Sequence, residues 1–325
     1  MIEIALILVH FNAEAETRAC LTSLKDIKTK DLKVSVIVLD NGSKEVLSIS
    51  PKAMPANTVI LRSDSNLGFP QGNNLAIEHA LKHGQPTYIV LLNNDTIVDS
   101  KFLQELVKTA QSHPTAGMVS PKIYFAPGRE FFPESYTKEQ KGNVIWYAGG
   151  GVDWANLDAF HHGVDELDRG QFDRQVISDF ATGCCVLIPT AVLERVGLLD
   201  PRYFLYLEDV DLSLRIREAG YDLVFSPNAK IWHVNAGSSG GAGSPLHTYY
   251  QTRNRLFFFL KYAHLCPWFV TPHTLRQRVT FFAQKIWYQF FVLRFAVRLL
   301  FNKEAMIQRG VLDFALGKMD KQSVF

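Results

Sequence analysis

Short apolar runs rich in Val, Ile and Leu occupy residues 4–9, 34–39, 58–61 and 88–92, and segments of helical period lie between and after them near 14–26, 73–83 and 99–112. Runs this short, without in-out alternation, read as strands that need cover on both faces. Helices supplied between the strands give that cover. The pattern therefore predicts an α/β fold with a Rossmann-like, mostly parallel sheet and helices on both faces. Ligands of such sheets bind beyond the carboxyl ends of the strands, so the residues just after each run are the ones to read for chemistry.

Those residues are polar. The first run ends in His10, Phe11 and Asn12, the second in Asp40, Asn41, Gly42 and Ser43, and the fourth in Asn93, Asn94, Asp95 and Thr96; Asn66, Leu67, Gly68 and Phe69 follow the third. Asp40 has the chemistry to accept hydrogen bonds from a nucleobase or ribose, although Asp-Asn-Gly-Ser is also a turn sequence. Between Asn66 and Asn74, Gly68 and Gly72 are combined with amides ahead of a helix. Backbone N–H groups and the helix dipole suit ribose or phosphate oxygens there, and Asn73 as a helix N-cap is the plainer alternative. The spacing is neither a Walker loop nor GxGxxG, which weakens phosphoryl and hydride transfer. Asp95 is a lone carboxylate flanked by amides. It either caps the helix near 99 or ligates a hard cation such as Mg2+ or Mn2+ that shares a substrate's phosphates.

The second half is less regular. From about 120 to 180 Gly, Pro and aromatic residues prevail, then a strand-like run from Cys184 to Ile188 stops at Pro189. Tyr206 to Gly220 reads as an amphipathic helix with an acidic start, basic later turns and a glycine stop. Glu208, Asp209 and Asp211 exceed what capping needs, and their mutual repulsion raises proton affinity, a useful property in a general base. His233 follows a short strand at Leu223 to Phe225 and precedes a Gly/Ser stretch at 237–244; it reads as a structural histidine, a metal ligand or a diphosphate contact.

Bulk properties exclude several classes. With 325 residues and 47% hydrophobic content the chain holds one large domain plus an appendage. Its 34 basic against 32 acidic side chains give no field for nucleic acid. Cys20, Cys184, Cys185 and Cys266 lack zinc-site spacing and read as core thiols in a reducing compartment. Met1 to Val9 has no basic leader region and reads as the buried first strand of a cytoplasmic protein.

Taken in order, these segments resemble glycosyltransferase family 2, the GT-A fold of inverting sugar transferases, and its rhamnosyltransferase-like members in particular, over roughly residues 3–260. The resemblance implies a GT-A domain at 1–245, with a nucleotide-binding half at about 1–120 and an acceptor half at about 120–245, then a C-terminal helical region at 246–325. It implies that His10, Asn12, Asp40, Asn41 and Gly42 line the nucleobase pocket and that Asn66, Gly68, Gly72, Asn73 and Asn74 border the nucleoside. Asn93, Asn94 and Asp95 stand where the family has its DxD motif, with Asn93 in place of the first acid. Asp209 is then the catalytic base, Glu208 holds a sugar hydroxyl, and Asp95 and His233 bind a divalent cation, Mg2+ or Mn2+. Thr182, Gly183 and Cys184 belong to the acceptor side, and the arginines of Tyr249 to Arg255 either neutralise phosphate or are solvated charges of a helix.

The implied reaction is metal-dependent, inverting transfer of a sugar, dTDP-L-rhamnose being the leading donor, to a hydroxyl of a surface polysaccharide or lipid-linked glycan precursor. A nucleotidyltransferase is the rival enzyme, weakened because Ala13, Glu14, Ala15 and Glu16 replace a Gly-rich, basic loop after the first strand. A decayed sugar-binding protein is the rival without chemistry, motivated by Asn93.

The tail beyond about 245 is helical, aromatic and basic. Val279 to Phe301 is nearly long enough to cross a bilayer, but burying Lys285, Arg294 and Arg298 costs several kcal/mol. At about 100° per residue Lys285 and Arg294 fall on opposite sides, which predicts no clean amphipathic face. Two expectations remain: peripheral contact at the inner face of the cell membrane, and packing on the catalytic domain or on a second subunit of a homodimer.

Overall fold

The computed structural model describes residues 1–235, 241, 243–268 and 275–319. The first part of the chain contains β1 (Ile2–His10), α1 (Glu14–Leu24), β2 (Leu32–Asn41), β3 (Thr58–Ser63), α2 (Gly68–His83), β4 (Tyr88–Leu92), β5 (Thr96–Val98) and α3 (Phe102–Ser112). β1 pairs in parallel with β2 and β4, and β2 in parallel with β3, so the order is β3-β2-β1-β4. Alternate residues serve two cores. Ile4, Leu6, Leu8, Val36 and Val38 meet Cys20 and Leu21 of α1 and Phe102 and Leu106 of α3. Ala5, Ile7, Ile37 and Leu39 meet Ala76, Ile77 and Ala80 of α2. Burial of both faces is why these runs carry no polar alternation.

The chain continues through β6 (Ala116–Phe125), β7 (Val144–Tyr147), β8 (Gly150–Asp153), β9 (Asp158–His161), β10 (Glu166–Leu167), β11 (Val176–Ile177), β12 (Cys185–Pro189), α4 (Thr190–Val196), α5 (Glu208–Glu218) and β13 (Asp222–His233). β12 inserts antiparallel between β4 and β6, with Cys185 opposite Leu92. β13 runs parallel to β6 and antiparallel to β5, ending with His233 opposite Thr96. The result is the α/β layered fold that the strand and helix pattern predicts, with the parallel strands extended by antiparallel ones. Three helices close the chain: α6 (Pro245–Lys261), α7 (Leu275–Leu300) and α8 (Ala305–Ala315).

Several boundaries differ from the sequence reading. α2 begins at Gly68, five residues early, so Asn73 lies inside the helix and caps nothing. α3 follows Lys101, so Asp95 is not its cap. The region from 116 is a fully buried strand, and 222–233 is one continuous strand with a register shift between Ser226 and Lys230. All four cysteines are buried and unpaired. The Gly/Ser stretch lies largely outside the described residues, which omit 236–240 and 242.

Candidate active site

A cavity of about 450 Å3 opens at the carboxyl ends of β1, β2 and β4, where Asn41, Asn66, Asn93, Asp95, Asp209 and His233 all contribute to its wall. The strand register explains how residues so far apart in sequence meet. Asn93 donates its backbone N–H to the Cys184 carbonyl (2.8 Å), which ties the end of β4 to the start of β12. Gly183 donates its N–H to Asp209 Oδ2 (2.8 Å), which ties the same turn to the start of α5. Thr182, Gly183 and Cys184 thus form a bridge between two carboxylate positions, and all three line the cavity. A side chain at 183 would place its Cβ 3.1 Å from Phe69 and 3.4 Å from Asp209.

On one wall, His233 Nε2 lies 3.1 Å from Asp95 Oδ1. The antiparallel pairing of β13 with β5 sets this contact. His233 Nδ1 is buried and has no partner among the described residues. Trp146 packs its ring edge-on to His233 at 4.6 Å and to His161 at 4.5 Å. Burial pushes the His161 imidazole down to about 4, so it is neutral at pH 7.

On the other wall, α5 sorts its three acids. Asp211 turns away and accepts from Arg215, Lys261, Tyr203 and Tyr262, at 2.5 to 3.0 Å. Glu208 and Asp209 line the cavity, Glu208 buried and Asp209 partly exposed to it. Burial raises the proton affinity of both carboxyls. Asp209 is pulled back by the N–H groups of Gly183 and Val210, each 2.8 Å away. Glu208 carries an oxygen without a partner among the described residues and sits beside the charge of Asp209. Both carboxyls are therefore pushed up, Glu208 further than Asp209.

The turn leading into α5 is strained: Phe204, Tyr206 and Leu207 hold φ of 61°, 71° and 69°. Each such residue costs on the order of 1–2 kcal/mol. Two helices hold the turn in place. From α2, Phe69 donates its N–H to the Phe204 carbonyl (2.8 Å), and Gly68 is glycine because a Cβ would stand 2.4 Å from that oxygen. From α6, Asn254 Nδ2 donates to the carbonyls of Tyr203 (2.9 Å), Leu205 (2.7 Å) and Tyr206 (2.9 Å). Arg253 adds bonds to Arg202 and Tyr203. The expected phosphate role of these arginines gives way to this one: Arg253 is fully buried against backbone carbonyls, and Arg255 pairs with Asp158 at 2.8 Å. Asn254→Ala should leave the Leu205 and Tyr206 carbonyls without this donor, while Tyr203 keeps Arg253, and cost about 2–3 kcal/mol, lowering the melting temperature by about 5 °C in a thermal scan.

The nucleotide-side residues divide. Asn41, Asn66, Gly68, Asn93, Asn94 and Asp95 line the cavity. Asp40 does not: its carboxylate accepts from the N–H groups of Ser43 and Leu47 and from Arg62, which holds it below the usual carboxylate range against the effect of burial. It shapes its own turn instead. His10 also lies behind the wall, with Nδ1 2.8 Å from Thr17 Oγ1, and Thr17 in turn accepts from Asn94 (2.7 Å). Asn12 binds the backbone N–H of Lys44, and Gly42 packs on the backbone of Ser65. Because α2 starts early, Gly72 packs under Asn41, Asn73 bonds back to Phe69, and Asn74 clamps Leu199 through two hydrogen bonds.

Trp146, His161, Phe180, Tyr206, His247 and Gln251 also line the cavity, and none was assigned a role from the sequence. Trp146, His161 and Phe180 come from the aromatic stretch at about 120–180, and Tyr206 and Gln251 from the segments at 206–220 and 249–255.

Residues 3–256 match the family model described as Glycosyltransferase like family 2. The N-acetylglucosaminyl-diphospho-decaprenol L-rhamnosyltransferase of Mycobacterium tuberculosis is 28% identical over 215 residues, 64% of this chain and 68% of that protein. The rhamnosyltransferase WbbL of Escherichia coli is 24% identical over 209 residues, 63% of this chain and 74% of that protein. Among solved structures, a mannosyltransferase from Pyrobaculum calidifontis in complex with GDP-Man and Mn2+ superposes with a TM-score of 0.54 at 14% identity, over 97% of this chain and 87% of that one. GalNAc-T7 with UDP, GalNAc and Mn2+ gives 0.58 at 16% identity over 89% of this chain, which spans 56% of that one. The order of the strands, the cavity at their carboxyl ends and a family match across most of its length agree: this chain belongs to glycosyltransferase family 2.

Proposed function

We propose that the chain transfers a sugar, L-rhamnose from a thymidine-diphosphate donor, with inversion to a hydroxyl of a lipid-linked or cell-surface glycan. The observation that carries this reading is the convergence of Asp95, His233 and Asp209 on one cavity, with Asp95 and His233 3.1 Å apart. The choice of rhamnose is supported by the names of the relatives, and the lipid-linked acceptor by the decaprenol in one of them.

Asp95 and His233 fit a divalent cation as a two-ligand site. Among the described residues no third His, Cys, Asp or Glu joins them. That suits a hard ion which takes its remaining ligands from a diphosphate and water. When bound, such an ion stabilises negative charge on the departing nucleoside diphosphate. Asp209 removes the proton of the acceptor hydroxyl, the freed oxygen bonds to the anomeric carbon, and the bond from that carbon to the diphosphate breaks on the opposite face. Glu208, protonated, donates a hydrogen bond to a sugar hydroxyl. Asn41 and Asn66 border the nucleoside.

A thermal-shift series of nucleotide sugars with and without Mn2+ or Mg2+ tests the reading, since ligand binding raises apparent stability by mass action. The expected result is a shift with thymidine-diphosphate rhamnose that needs the ion; no shift with any nucleotide sugar contradicts it. His233→Ala should raise the metal concentration for half-maximal activity about tenfold or more, read from a Mn2+ titration; an unchanged titration returns His233 to a structural role.

A further inference from the structure

α7 packs on the body through Tyr288, Val292 and Ala296, which are buried. Its other side carries Val279, Phe282, Ile286, Phe290, Leu293 and Val297, all exposed, four of them by more than half. At about 100° and 1.5 Å per residue these six fall within roughly 80° of arc along about 27 Å of helix. Arg294 and Arg298 run along one edge of that stripe. Lys285, which the sequence alone set against a clean face, lies on the packed side and does not interrupt it. Among the described residues no helix is long and apolar enough to cross a membrane.

We infer that this stripe is a docking surface for an anionic bilayer, α7 lying in the interface with its apolar side down. The inference deepens the lipid-linked-acceptor part of the proposed function and rests on it for its purpose. Three observations favour lipid over a second copy of the chain. Arg294 and Arg298 flank the stripe and residues 279–303 contain no Asp or Glu; self-packing of the stripe brings like charges together, whereas anionic headgroups complement them. Trp287, exposed at the stripe's edge, lies 6.4 Å from the exposed Trp268, the aromatic type that settles at headgroup level. The helix is also seated beside the cavity: from its packed side Tyr288 donates to the Trp154 carbonyl (2.9 Å) between β8 and β9, and Ala159 and His161 of β9 line the cavity wall.

The test is co-sedimentation of the full chain with vesicles of phosphatidylcholine alone or with about 30 mol% phosphatidylglycerol. Partitioning should be at least about tenfold stronger on the anionic vesicles. Arg294→Glu with Arg298→Glu should remove that preference, and Phe290→Asp with Val297→Asp should lower binding to both vesicle types about tenfold or more. All four positions are on the exposed side, so melting temperature and donor-induced thermal shift should stay at wild-type values. The inference is overturned by equal binding to both vesicles, by variants that bind as the parent does, or by a dimer in solution that Phe290→Asp with Val297→Asp dissociates. Donor binding without vesicle binding sinks the surface and leaves the transferase reading intact; vesicle binding that the variants abolish, without donor binding, does the reverse.

Discussion

Asp209→Asn is expected to lower turnover by about 10^3-fold, the range lost when a positioned general base is removed, with donor affinity changed by less than about threefold. The substitution keeps the shape and removes the basicity. In the wild type both Asp209 oxygens accept backbone N–H groups, from Gly183 and Val210. These bonds fix the carboxylate at the cavity and favour its ionised form against the effect of burial. An Asn amide accepts from only one of them, so its NH2 faces an N–H and costs about 1–2 kcal/mol of stability. A thermal melt therefore accompanies the kinetics: a small drop in melting temperature with a large drop in kcat fits a base, whereas wild-type turnover removes Asp209 from the reaction.

Asp95→Ala is expected to be as damaging and to act differently. It should lower kcat/KM by at least about 10^2-fold and weaken donor binding, because in the proposed reaction one side chain serves both the bound diphosphate and the departing one. His233 then faces the cavity without the oxygen that lies 3.1 Å from its Nε2. The contrast between the variants is informative. Asp209→Asn should leave the metal-dependent thermal shift with donor intact, and Asp95→Ala should abolish it. Equal loss of that shift in both places the two carboxylates in one structural unit rather than in separate roles.

The parallel strands were legible because buried strands leave a sharp mark, short Val, Ile and Leu runs with polar ends, and their order brings those ends to one edge. The start of α2 was not, because Gly68, Pro70 and Gly72 read as a loop; the helix begins there since glycine at 68 lets α2 meet the turn at Phe204. Asp40 illustrates the opposite difficulty. A carboxylate at a strand end reads as a ligand contact, and only the coordinates show its oxygens turned onto Ser43, Leu47 and Arg62. Arg253 and Asn254 were visible as a motif but carried the wrong chemistry: what they bind is the backbone of a turn some fifty residues earlier, a contact with no local sequence signature. The exposed stripe of α7 was hidden for a similar reason, since helical periodicity gives the angle of Lys285 but not which side of the helix the body covers.

A crystal soaked with Mn2+ and thymidine diphosphate bears most directly on the shared pocket of residues 95, 209 and 233. The expected anomalous peak lies about 2.0–2.5 Å from a carboxylate oxygen of Asp95 and from Nε2 of His233, with the terminal phosphate directed toward the side of the cavity that holds Asp209. A manganese ion bound elsewhere, or a diphosphate pointing away from Asp209, would contradict the proposed reaction.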